Sequence, residues 1–240
     1  ASEIGVRLVG SEMCIRDRSD TVTALRSAGV QTIGAGETLE EAVRPAIIEA
    51  NGFRVGVVPF SCLLPAGSAA RPDRPGISPI HIETSHEINH YWELEEPGEP
   101  SVVNIRTRVR EKDLAFVEQY IRQCRAEVDF LVASVHCGYG AGELLAEYQQ
   151  PLGRVLIDAG ANIVHGHHPH AVHAAEFYDG KAILYSLGTL AGQQTFLDAS
   201  EQVKQLWSEM SSDGYVALLE IEDDGLGQVQ LPRGLADVLA

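Results

Sequence analysis

No stretch of this 240-residue chain approaches the roughly 18 consecutive apolar residues of a membrane-spanning helix, and a soluble chain is expected. Positive charge is scarce. The 18 Lys and Arg stand against 34 Asp and Glu, a formal charge of -16. That balance excludes a general nucleic-acid or anionic-membrane surface, because such partners need a basic face that releases counterions. An anionic substrate would require a local positive centre, which a bound metal can supply. Cysteine is sparse as well. Cys14, Cys62, Cys124 and Cys137 show neither CxxC spacing nor the density of a disulfide framework, and they are compatible with a reducing compartment. There is no internal repeat and no independent linker. The hydrophobic share of 45% is ordinary and sufficient for a sizeable core.

Histidine is abundant in one place only. Five of the nine histidines, His165, His167, His168, His170 and His173, fall in the run from Val164 to His173. Neutral imidazole is a common nitrogen ligand for zinc, manganese and iron, and a His-x-His pair in extended backbone points both rings to one side. His168 and His170 form such a pair. Pro169 between them lacks an amide hydrogen and fixes φ, so the segment reads as a loop just past a strand end. A His-rich polar surface loop, or a transient nickel-binding tract, is the competing interpretation. Within the run, His165 and His173 suit packing or hydrogen bonding, whereas His167, His168 and His170 occupy its tight part.

Leu8 to Arg18, Leu-Val-Gly-Ser-Glu-Met-Cys-Ile-Arg-Asp-Arg, resembles the in-frame translation of a transposon-end adaptor. Residues 1–18 are therefore set aside as artefactual before fold reasoning, and 19–240 are expected to form a single domain.

Apolar spacing predicts a helix over Asp20 to Ala28 and a strand over Val30 to Ile33. Strands over Arg44 to Glu49 and Arg54 to Phe60 flank Asn51-Gly52, a favoured two-residue hairpin turn. Residues 64–110 read as an excursion or lid, since Leu64 to Pro100 is rich in Pro, Gly and acidic residues. His81, His86 and His90 within it read as surface residues. A helix over Glu111 to Arg125 leads to a buried strand over Asp129 to Val135, ending at His136. A helix over Glu143 to Ala159 follows, with a break or fresh start expected at Pro151, then a strand over Asn162 to His165. Asp179-Gly180 marks a hairpin between Ala174 to Tyr178 and Lys181 to Ser186. Glu201 to Met210 is expected to be helical, with a terminal hairpin over Gly214 to Glu222 and Gly227 to Leu231.

The β-α-β order matters for function. Such a crossover makes its two strands parallel, so His136 and the run from His167 to His170 should emerge at the same carboxyl edge of the sheet. Ligand sites in open α/β sheets lie at that edge. Alone, His136 would read as a structural residue; the shared edge makes it a candidate ligand.

The ordered motifs Val132-Ala-Ser-Val-His136-Cys-Gly138, Leu156-Ile-Asp-Ala-Gly160-Ala-Asn-Ile-Val, Gly166-His-His-Pro-His170 and Gly180-Lys-Ala-Ile-Leu-Tyr185-Ser-Leu-Gly188 resemble the CapA family of poly-γ-glutamate capsule synthesis proteins. The resemblance covers most of residues 19–222. It implies an α/β fold, specifically the layered α/β/β/α metallo-dependent phosphatase-like architecture, incomplete at the N-terminus. It further implies a metal-dependent phosphoesterase-type hydrolase associated with poly-γ-glutamate capsule biosynthesis, using two divalent cations of manganese, zinc or iron. The alternative is a weakly catalytic or non-catalytic capsule polymer synthesis or export factor. His136, His168 and His170 would be metal ligands and His167 a catalytic residue that could also ligate or support a ligand. The partners implied are an anionic small molecule or polymer and a capsule synthesis membrane complex, with no nucleic acid. Localisation stays open between cytoplasm and an exported or membrane-anchored parent. The family's first ligands, an aspartate after the first strand, an Asn-Leu-Glu segment and an Asn-Asn-His segment, have no counterpart before Ser19. Weak metal binding and little catalysis are therefore expected of the chain as it stands. Cys137 and Thr189 depart from the tryptophan and asparagine more common in the family.

Overall fold

The computed structural model of the chain describes residues 6–8, 15–96, 98–99, 102–139, 144–189, 201, 205, 213–222 and 225–230. It is a mixed α/β fold. A short strand β1 (Val6–Leu8) pairs in parallel with β2 (Gln31–Ile33), and α1 (Ile15–Ser27) lies between them in sequence. The helix begins upstream of the expected Asp20, inside the adaptor-like undecapeptide. Next come β3 (Ala35–Gly36) and α2 (Leu39–Val43). The Thr38 side chain caps α2 by accepting from the Glu41 amide, which satisfies one of the donors a helix start leaves unpaired.

The expected hairpin forms between β4 (Ala46–Ala50) and β5 (Phe53–Ser61). Asn51 and Gly52 have φ of 50° and 86°, the left-handed pair that this tight turn demands. After β5 the chain folds back into the molecule before it leaves it. β6 (Gly76–Ile77) pairs with β3, and Ile77 and Ile80 are fully buried. β7 (Ile82–Ile88), α3 (His90–Glu95) and β8 (Val103–Val109) then form an exposed antiparallel hairpin. Its cross-strand ion pairs, Glu83 with Arg108 and Glu87 with Arg106, lie on one face. These strands were not assigned from the sequence: the polar centre of β7, Glu83 to Glu87, hides its period, although β8 alternates Val103, Ile105, Thr107 and Val109 with Asn104, Arg106 and Arg108. His86 and His90 are on the surface as expected. His81 is half-buried, its Nδ1 lying 2.6 Å from Asp113 Oδ2.

α4 (Glu111–Arg125), β9 (Phe130–His136), α5 (Gln149–Asp158) and β10 (Ile163–His167) supply the crossover, and β11 (Ala175–Tyr178) and β12 (Lys181–Leu184) the next hairpin. α5 is shorter than the expected helix. It starts at Gln149, which leaves Pro151 in the first turn, where its missing amide hydrogen costs nothing. The six-stranded sheet has the order β11-β12-β10-β9-β5-β4. Its four central strands are parallel and its two edge strands antiparallel.

Val117 and Ile121 of α4 and Leu152 and Leu156 of α5 pack with Val58, Leu131 and Val135 in the main core. Phe130, Ile163 and Leu184 form a second cluster. Continuous apolar sequence in β9 thus reflects burial on both sides. β13 (Leu218–Glu222) and β14 (Gly225–Gln230) pair as the terminal hairpin, while the expected helix over 201–210 lies outside the described residues apart from Glu201 and Gln205. Among the described residues no helix is long and apolar enough to cross a membrane.

Candidate metal centre

The parallel pairing of β9 with β10 puts His136 directly opposite His167 at the carboxyl ends of both strands. Two features let the loops that follow come together. At Gly166 a Cβ would lie 2.3 Å from the Tyr185 carbonyl oxygen, so only glycine allows β10 this close to the chain leaving β12. Gly138 adopts φ +91°, and a Cβ there would meet Pro169 at 3.2 Å, so the loop after β9 rests against the histidine loop. The Gly138 amide also donates to the Tyr148 hydroxyl at 2.7 Å.

His136 Nδ1 lies 3.1 Å from His167 Nδ1, and His167 Nε2 lies 3.3 Å from Ser134 Oγ. Facing ring nitrogens can share only one proton. With that proton on His136 Nδ1, His167 Nδ1 accepts, His167 Nε2–H donates to Ser134, and His136 Nε2 keeps its lone pair. That Nε2 is buried and has no hydrogen-bond partner among the described residues. The ring of His168 is 4.8 Å from that of His136, and the rings of His168 and His170 are 6.3 Å apart, centroid to centroid. His165 lies 5.6 Å from His167 on the same face of β10.

The histidine loop does not have the extended backbone expected for the His168-Pro169-His170 segment. His168 and His170 have φ of 122° and 56°. Both lie in the region that favours glycine and cost about 1–3 kcal/mol each, a kind of strain that concentrates at functional sites. The chain turns back on itself around the buried Pro169 and still keeps the two rings near one another.

Burial, with His168 and His170 nearby, holds the pKa of His136 down to about 4. Burial, reinforced by His165, His136 and His168, depresses His167 to about 2, and burial alone lowers His165. The buried imidazoles are therefore neutral near pH 7, the form in which a ring nitrogen can ligate. An orphaned buried nitrogen in a neutral imidazole cluster fits a divalent cation. Among the described residues, however, no group of three or more His, Cys, Asp and Glu side chains is arranged so that it could hold a metal ion. Of the residues singled out in the sequence, His136 stands beside His167 and His168, and His170 lies next to His168. Ser134 was not anticipated; only once β9 is formed does it stand on the same strand face as His136, two residues on.

A second polar cluster was also missed. Glu176, buried on β11, accepts from Tyr185 at 2.6 Å, from Arg154 at 2.8 Å and from Gln150 at 3.3 Å. These residues are distant in sequence, and no local spacing announces them.

The family described as "Bacterial capsule synthesis protein PGA_cap" matches residues 18–194. A protein of Mycobacterium tuberculosis named "Probable polyglutamine synthesis accessory protein" is 34% identical over 174 residues, 71% of this chain and 39% of that protein. The "Capsule biosynthesis protein CapA" of Bacillus anthracis is 27% identical over 175 residues, 73% of this chain and 36% of that protein. The chain thus spans less than half the length of these relatives. The crystal structure of a hypothetical protein from Thermus thermophilus overlaps with a TM-score of 0.48 at 12% identity, covering 96% of this chain and 75% of that one.

Proposed function

Because the chain belongs to the bacterial capsule synthesis protein family PGA_cap, we propose that it carries the histidine half of a metal-dependent phosphoesterase-type centre associated with poly-γ-glutamate capsule biosynthesis. The observation that carries this reading is the buried Nε2 of His136, which has no hydrogen-bond partner among the described residues and stands beside the rings of His167 and His168. His136, His168 and His170 would hold a divalent cation, manganese, zinc or iron. When bound, two such ions supply a Lewis acid for a phosphoryl oxygen and lower the pKa of a water nucleophile.

The chain's own residues prepare that chemistry. Ser134 holds the His167 ring, and His167 fixes the tautomer and direction of His136 through the Nδ1 contact. The role proposed for His167 is accordingly to position His136, with both of its ring nitrogens engaged. The His168 ring stands 4.8 Å from that of His136, and the His170 ring 6.3 Å from that of His168. The partners proposed are an anionic small molecule or polymer and a capsule synthesis membrane complex. Metal content and hydrolysis of phosphomonoesters and phosphodiesters, with manganese or zinc, test the reading. Metal should copurify with the full-length parent and fall on combined His168→Ala and His170→Ala, and hydrolysis should be abolished by chelator. Unchanged metal content in the double variant refutes the ligand assignment.

The name of the M. tuberculosis relative, an accessory protein, favours a second reading: a capsule polymer synthesis or export factor with slow or no turnover. Metal binding without hydrolysis of any tested phosphoester would select it.

A further inference from the structure

Two buried thiols stand beside the histidine edge. In the parallel register of β5 and β9, Ser61 lies opposite His136, and the ladder continues one residue further, where the Cys62 amide donates to the His136 carbonyl at 2.8 Å. Cys62 and Cys137 therefore stand next to one another at the carboxyl ends of adjacent strands. Neighbouring strands run about 4.8 Å apart, inside the roughly 4.4–6.8 Å between Cα atoms that a disulfide spans. Matched positions on adjacent strands direct their side chains to one face of a sheet. Both cysteines are buried in the main core cluster. Cys137 is close enough to Cys62 to help raise the Cys62 pKa, after burial, and both cysteines act on Tyr148. Cys124, the remaining described thiol, sits on α4 against Tyr120.

We propose that Cys62 and Cys137 form a redox-sensitive pair that closes to an intramolecular disulfide, tying the ends of β5 and β9 directly beside His136. The oxidant is a small-molecule disulfide such as oxidised glutathione. One protein thiolate attacks it and releases one reduced glutathione. The second protein thiolate then displaces the other glutathione from the mixed disulfide. The two protein thiols lose two electrons and two protons in total, and the oxidant takes them up as two thiols. Both thiols are buried in the folded chain and closed to a small-molecule oxidant. The bond consequently forms while the strand ends are open, during folding or local unfolding. The inference does not depend on any metal at the histidines.

The test uses the full chain in graded mixtures of oxidised and reduced glutathione. It is run on folded protein just below the urea unfolding transition and on protein refolding from urea, with a fully unfolded control. After acid quenching, free thiols are alkylated and the non-reduced peptides are mapped. The expected result is joint loss of alkylation at Cys62 and Cys137, recovery of the two as the dominant linked pair, retained alkylation at Cys124, and a raised Tm that returns on reduction. Cys62→Ser and Cys137→Ser should each abolish the link. The proposal is overturned if both cysteines stay alkylatable, or end as glutathione adducts, at ratios that fully oxidise the unfolded control. Linkage chiefly to Cys14 or Cys124 overturns it too.

Discussion

His136 owes its disposition to two neighbours, His167 and Ser134. Ser134 reaches His167, and His167 reaches His136, so the ring nitrogen left over is the buried Nε2. Removing the hydroxyl with Ser134→Ala frees the His167 ring and loosens the tautomer of His136, which should weaken metal binding about 10-fold while leaving the fold intact. Titration of the metal-free full-length parent with manganese or zinc reads this directly, and unchanged affinity would show that the relay is only structural. Gly166 acts differently. A methyl group there would meet the backbone oxygen of Tyr185 at 2.3 Å, and backbone cannot rotate aside. Gly166→Ala should cost about 3 kcal/mol by urea denaturation, with the histidine edge displaced even where the chain still folds. The histidine types and their spacing were legible in the sequence. The relay was not, because a serine on a strand announces nothing until its strand face is known.

At the scale of elements, short turns with left-handed residues were the easiest features to foresee. Asn51-Gly52 and Asp179-Gly180 both join antiparallel strands as their chemistry demands, with Asn51 and Asp179 at φ of 50° and 51°. The cost of losing such a glycine is conformational rather than steric. At Gly52 no atom lies within 4 Å of a built Cβ, yet φ is +86°. Gly52→Ala should therefore cost only about 1 kcal/mol, well below the penalty at Gly166, and a paired urea titration of the two variants separates the causes. The parallel placement of β9 and β10 was also derivable, since a crossover helix leaves little choice of strand direction. The β7–β8 hairpin was missed because the surrounding Pro-, Gly- and acid-rich sequence reads as an excursion and β7 is polar at its centre, although β8 alternates Val103, Ile105, Thr107 and Val109 with Asn104, Arg106 and Arg108. Its strands are held by Glu83–Arg108 and Glu87–Arg106 ion pairs across a mostly exposed surface. Pro151 signalled the true start of α5, because proline is tolerated only in a helix's first turn.

At the scale of the whole molecule, a carboxylate gathers the sheet and its helix layer at the β11 edge, beside the contacts of Tyr178 with Asp158 and Arg154. Glu176 on β11 gathers Gln150 and Arg154 from α5 and Tyr185 just after β12. Burial alone would raise its pKa, but the hydrogen bonds from Tyr185, Arg154 and Gln150 outweigh it and leave the carboxyl below its ordinary value. The unfolded chain therefore binds this proton more readily than the folded one. The stabilisation is complete above the unfolded carboxylate pKa of about 4.3, and it is lost as pH falls through the lower folded value. Tyr185 has the opposite sign. Burial, then the bond to Glu176, raises its pKa. Its contribution is full below the unfolded tyrosine pKa of about 10 and is lost as pH rises toward the folded value. Glu176→Gln should reduce stability at pH 7 by about 1–2 kcal/mol, a modest figure because Arg154 remains partly in water. It should also flatten the urea-midpoint profile on both the acid and the alkaline flank. A variant that loses stability at pH 7 but keeps the slopes of the parent on both flanks would show that this edge is held by packing rather than by the carboxylate.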